Sequence, residues 1–181
     1  MKCVFIVLDT VRRDYLSAYG NDWVNTPTIS RLASEGITFD NHWVGSLPCM
    51  PARREFMTGR YNFMYRGWGP IEPYDDTMPT ELRKHNVFTH ILTDHDHYFE
   101  LGGENYHTAF NTWEFFRGQE NDPWRSLVDR MALPEHLGQL SQQNWRNRQL
   151  QQKEEEFSGP RTAQAAVEWI KANKDSDDWL I

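Results

Sequence analysis

Residues 3–8, CVFIVL, are an unbroken apolar run, β-branched or aromatic at most positions, and the run closes on an acid, Asp9. A strand apolar on both faces belongs in a parallel sheet covered by helices. The run therefore predicts an α/β fold built on a mostly parallel central sheet flanked by helices. A carboxylate at the end of such a strand sits where open α/β sheets place their ligands; the competing reading is a helix cap, since aspartate at a strand-to-helix junction also bonds backbone amides. Residues 87–92, VFTHIL, read as a second buried strand, and 37–44, ITFDNHWV, alternate enough for another. The sequence stops in a further apolar run, 179–181, so the chain is expected to end inside a strand.

The helices are signalled by their ends. Thr26 and Pro27 open one that carries Ile29, Leu32 and Ala33 on a single stripe before Gly36. Residues 11–20 predict a short helix or turn, 80–85 a helical turn, 141–156 a solvated helix, and 161–173 an amphipathic helix with Ala165, Val167, Trp169 and Ile170 among polar residues. Between them, 61–76 is an aromatic loop whose prolines and glycines interrupt regular structure, a rim or lid rather than core.

A chain of 181 residues suffices for one domain with a core. Its net charge of −7 argues against nucleic acid, which selects basic surfaces. No apolar run reaches membrane-spanning length, and Met1 and Lys2 lead straight into the strand rather than into a secretory signal. With two cysteines, Cys3 and Cys49, a disulfide framework is not expected, and a cytoplasmic location is the default.

The chemistry concentrates in residues 46–60, SLPCMPARREFMTGR. Pro51 is tolerated in a first helical turn, so Cys49 is expected at a helix N-terminus, where unpaired amides and the helix dipole favour an anion. Arg53, one turn on, projects to the same side. A second cluster follows the 87–92 strand: Thr93-Asp94-His95-Asp96-His97, whose histidines, spaced by two on an extended segment, face one way and could both address an anion or a metal. A buried structural cysteine and a His- and Asp-rich surface loop are the plainer readings of the two clusters.

CMPARREFMTG resembles the sulfatase signature, CxPxR followed by a short helical run and Thr-Gly: Cys49, Pro51, Arg53, Thr58 and Gly59 fall in place, with Ala52 where serine is more usual. VRRDYLSAYG and TPTISRLASEG also resemble family segments. The resemblance covers essentially the whole chain but only the amino-terminal portion of a sulfatase domain, and it implies an alkaline phosphatase-like fold truncated before its carboxyl-terminal part.

What the family implies is specific. Cys49 would be oxidised to formylglycine by a formylglycine-generating enzyme and, with Arg53, form the catalytic pair. Asp9, Thr10 and the modified Cys49 would hold a divalent metal, Ca²⁺ by preference for hard oxygen ligands, with Mg²⁺ or Mn²⁺ as alternatives. His95 and then His97 would contact a small-molecule or carbohydrate sulfate ester. Thr10 stands where many sulfatases carry a second acid, and the lysine of their Gly-Lys-Trp-His element has no counterpart in TDHDH. Both departures are shared with phosphonate monoester hydrolases, so a phosphonate or phosphodiester hydrolase is the alternative activity; a non-catalytic fragment, lacking the remaining site residues, is the alternative from another class.

Overall fold

The computed structural model describes residues 1–62, 66–103, 105–125, 128 and 132–181. Four strands form one sheet in the order β1-β4-β2-β3: β1 Lys2–Cys3, β2 Phe88–Thr93, β3 Thr112–Phe115 and β4 Trp179–Leu180. Every pairing is parallel. Five α-helices accompany them among the described residues: α1 Pro27–Glu35, α2 Cys49–Thr58, α3 Met78–Lys84, α4 Gln142–Gln149 and α5 Ser158–Ala172. The last strand inserts between the first and second, with Trp179 in register with both Lys2 and Phe88. This is the α/β architecture that the apolar runs predict. No helix of the described residues is long and apolar enough to cross a membrane.

Two expected strands differ. The run 3–8 is a strand only at Lys2–Cys3, with one further backbone bond from Phe5 N–H to Ile181 O at 2.8 Å; residues 4–8 lie outside the strand and are 40–67% exposed. β1 is an edge strand of the described sheet, paired with β4, and Ile181 N–H also donates to Cys3 O at 3.0 Å. Residues 37–44 form no strand either; two of their carbonyls accept from side chains, Asp40 O from Arg13 at 2.8 Å and Phe39 O from Tyr19 at 3.0 Å. Both donors come from 11–20, which forms two 3₁₀ turns rather than a helix.

α1 forms where expected, but Thr26 does not cap it; its hydroxyl pairs with Ser17 across the preceding loop. α3 begins two residues earlier than predicted, at Met78, where Thr77 and Thr80 close a reciprocal capping box. The core lies under α2 rather than on the first strand: Met50, Met57, Ile71, Tyr98, Tyr106 and Ala109 pack together, with Ile91, Phe99 and Phe110 against them. The 61–76 loop is therefore partly core. Ile71 and Asn62 are buried, and Asn105 bonds both backbone groups of Ile71; residues 63–65 of that loop lie outside the described residues.

α5 covers β2 through aromatic contacts. Trp169 stacks on His90 with ring centroids 5.2 Å apart and meets Trp179 edge-on at 5.3 Å. Burial lowers the His90 pKa against the opposing pull of Glu114 and Thr112. A histidine held neutral in the fold takes up a proton on unfolding below its ordinary value of about 6.5, so its contribution is present above that pH and lost as pH falls. Urea resistance is accordingly expected to drop on acidification below about pH 6.5, with His95 and His107, also lowered by burial, sharing the slope. His90→Gln should flatten that slope measurably; an unchanged slope would show that His90 titrates alike in both states.

Candidate functional site

α2 is built to present its first residue. Pro51 occupies the first turn, and Gly59, at φ 67°, ends the helix in the left-handed region by bonding Glu55 O at 2.8 Å. Glu55 ties together the segments on either side, accepting from Ser46 Oγ at 2.6 Å and from the Asn62 backbone at 2.9 Å. Asn62 in turn donates to Pro51 O at 2.7 Å. Cys49 thus starts a helix whose approach and exit are both pinned.

The consecutive arginines of this helix point to different tasks, because neighbouring residues are roughly 100° apart around a helix. Arg54 runs into the protein, donating to both Asp75 carboxylate oxygens and to Asn62. Arg53 reaches across to the end of the first apolar run: Nη2 donates to Asp9 Oδ2 at 2.8 Å and Nη1 to the buried Tyr98 hydroxyl at 3.3 Å. Tyr98 also lies beneath the guanidinium, 5.3 Å from ring centroid to Cζ.

Asp9, Cys49 and His95 each offer a ligand atom within 4.8 Å of the others. His95 is fixed from β2, its N–H donating to Thr93 Oγ1 at 3.0 Å, and its Nδ1 is 3.9 Å from Asp9 Oδ2. These donors fit a divalent cation. A carboxylate, a sulfur position and an imidazole share one small space, and the buried His95 Nε2 has no hydrogen-bond partner among the described residues. Thr10, at φ 64°, donates its hydroxyl to Asp9 Oδ1 at 3.0 Å and so backs the carboxylate. His97 stands one ring further out, edge-on to His95 with centroids 4.9 Å apart. The structure brings Cys49, Arg53, Asp9 and His95 together and places Thr10 and His97 immediately beside them.

Charge settles the protonation states. Burial raises Asp9, but Arg53 and the Thr10 hydroxyl outweigh it and hold the carboxyl below its ordinary value. Burial and then Arg53 and His97 push His95 down to about 3, leaving a neutral imidazole with a free lone pair. Cys49 is raised, first by burial and then by Asp9, against the lowering pull of Arg53 and the Met50 amide. The helix N-terminus alone predicts the opposite sign. Unmodified Cys49 is a neutral thiol.

Three contributors were not legible in the sequence. Tyr98 is the buried partner of Arg53. Asp94 is held by Ser158 at the start of α5, at 3.0 Å. Glu120 influences both Cys49 and Asp9, and is itself raised by burial and by Asp9. Its loop is organised by the buried Asp122, which accepts from Arg117 and from Gly118 N, while α4 contributes Asn147 to Asp122 O at 2.9 Å. α4 is thus not simply a solvated helix: Asn147 is fully buried. A lone acid in a polar loop carries no periodic signal; the glycine at Gly118, φ 115°, is the one local cue.

A parallel α/β sheet with these groups gathered at the N-terminus of a flanking helix defines an alkaline phosphatase-like fold. The chain belongs to the sulfatase family, whose model, described as Sulfatase, matches residues 2–181. It is similar to arylsulfatase H of Canis lupus familiaris, 43% identical over 58 residues, covering 32% of this chain and 10% of that protein. It is also similar to human arylsulfatase D, 37% identical over 103 residues, covering 49% and 17%. A multifunctional alkaline phosphatase superfamily protein, PehA, of Trinickia caryophylli is 34% identical over 89 residues, covering 46% and 16%. The matched segments span between 10% and 17% of those relatives' lengths. No solved structure matches the chain.

Proposed function

We propose that this chain is the amino-terminal, nucleophile-bearing part of a sulfuric ester hydrolase in which Cys49 is converted to formylglycine. One observation carries the reading: the cysteine of the CMPAR motif shares a single space with Asp9, His95 and Arg53. Asp9, the modified residue 49 and His95, with Thr10 behind Asp9, would hold a divalent cation, Ca²⁺ by preference for hard oxygen donors, which when bound supplies positive charge that favours an ionised hydroxyl at residue 49.

The chain's own groups do the rest. A hydrated formylglycine offers one hydroxyl oxygen to attack sulfur as the S–O bond to the alcohol breaks and the alcohol leaves with a proton. The second hydroxyl then gives up its proton and forms C=O as the C–O bond to sulfate breaks, releasing sulfate and restoring the aldehyde. Arg53 remains charged, and its planar donors suit both the hydrated residue and the oxygens of the ester. His95, neutral and buried, faces the same space, and His97 stands edge-on beside it with both ring nitrogens turned to the carboxylates of Glu100 and Glu120. Tyr98 fixes the guanidinium from below, so the cation is already oriented when the ester arrives.

A second reading, a phosphonate monoester or phosphodiester hydrolase, is favoured by Thr10: its hydroxyl is engaged with Asp9, so this position adds no second carboxylate to the site. Arylsulfatase similarity supports the sulfate reading. The complete protein, produced beside a formylglycine-generating enzyme, should be assayed on matched aryl sulfate and aryl phosphodiester substrates. A kcat/KM at least about tenfold higher on the sulfate, about 1.4 kcal/mol of transition-state preference, is expected. The reverse preference would assign the phosphodiester activity, and no hydrolysis of either by protein converted at residue 49 would overturn both.

A further inference from the structure

Next to the Cys49 site, on the far side of His97, a second group of ligating atoms converges. A carboxylate oxygen of Asp96, a ring nitrogen of His97 and a carboxylate oxygen of Glu120 all lie within 4.8 Å of one another. We propose that Asp96, His97 and Glu120 bind a second divalent cation, of the borderline class represented by Mn²⁺ and Zn²⁺.

Three carboxylates, those of Asp96, Glu100 and Glu120, lie around one imidazole, with Glu100 and Glu120 each facing a ring nitrogen of His97. A bound cation would offset their mutual repulsion. Arg117, whose charge acts on Asp96, is engaged by Asp122, with bonds of 2.6 to 2.9 Å. Asp96 is 8% exposed, and its Oδ1 has no hydrogen-bond partner among the described residues. A buried carboxylate oxygen left unpaired costs free energy that a bound cation would recover.

His97 is placed as a ligand between acids. Its Nε2 is 3.7 Å from Glu120 Oε2, longer than a hydrogen bond and within the span of two ligands held by one ion at about 2.1 Å each. Its Nδ1 lies 2.8 Å from Glu100 Oε2 but off the N–H line, and Glu100 is anchored by Trp68 Nε1 at 2.9 Å. A carboxylate behind an imidazole is the arrangement that orients metal-binding histidines. Glu120 is delivered by backbone in the left-handed region, φ 47°, an unfavourable conformation for a non-glycine residue. One imidazole and two carboxylates suit Mn²⁺ or Zn²⁺ better than an all-oxygen Ca²⁺ shell.

The test uses Mn²⁺ and the full chain carrying Asp9→Asn, which disables the first site. Titration followed by electron paramagnetic resonance should show one bound ion with a nitrogen coupling from a single imidazole. Adding His97→Ala should abolish that coupling and weaken binding by more than about tenfold, whereas adding His95→Ala should leave both unchanged. Asp96→Asn and Glu120→Gln, which preserve shape, should each weaken binding similarly and keep the reading open if His97→Ala unfolds the chain. Absence of Mn²⁺ binding to the Asp9→Asn chain, or binding that survives both carboxamide variants, would overturn the proposal.

Discussion

Cys49→Ala in the complete protein is expected to lower ester hydrolysis by roughly 10³-fold or more, the order found when a covalent nucleophile is removed. The physical reason lies in the environment rather than in the motif. Burial and the Asp9 charge keep the thiol protonated, so residue 49 as cysteine is a poor nucleophile even at a helix N-terminus beside Arg53. Conversion to an aldehyde removes that obstacle, because its hydrate attacks through oxygen. Protein made without a formylglycine-generating enzyme should therefore be as inactive as Cys49→Ala, and a mass spectrum of the peptide containing residue 49 should separate the two chemistries. Full activity in protein whose residue 49 is entirely thiol would contradict the mechanism.

Arg54→Ala is expected to be the most damaging single change to stability, by about 3–5 kcal/mol, although Arg54 takes no part in the proposed chemistry. Its guanidinium and the Asp75 carboxylate are 4% and 0% exposed, and Nη2 contacts both Asp75 oxygens at 2.5 and 2.6 Å. Removing one partner strands the other charge, together with Asn62, in a site closed to water. Asp75→Asn should be nearly as costly, while replacing both by apolar residues of similar volume should recover much of the loss. Urea unfolding of the three variants measures this directly. Near-additivity of the single losses in the double variant would show that the pair is not coupled.

These two results would separate neighbours that the sequence presents alike. Arg53 and Arg54 are adjacent in one motif, and the spacing from Cys49 singles out Arg53 as the residue on its side of the helix. Nothing local says that Arg54 must find Asp75, because that partner comes from a loop 21 residues away. The same limit explains the first apolar run. Its composition is that of a buried parallel strand, and β1 does join a parallel sheet, but nothing local says that its neighbour is β4, Trp179–Leu180.

The sequence by itself determined what depends on a few adjacent residues: a helix beginning at Cys49, a strand over residues 87–92 that the structure places at 88–93, an amphipathic helix before the final strand, and an acid and two histidines of the right chemistry. Tertiary structure alone decided which of these meet. Asp9 and Arg53 are 44 residues apart and joined by a 2.8 Å bond, Tyr98 arrives from beyond β2, and Glu120 is aimed by a loop held on Asp122 and Asn147. Helix caps and apolar periodicity act over one or two turns of chain, whereas the protonation of Cys49, Asp9 and His95 is set by charges and burial that exist only once distant segments have packed together.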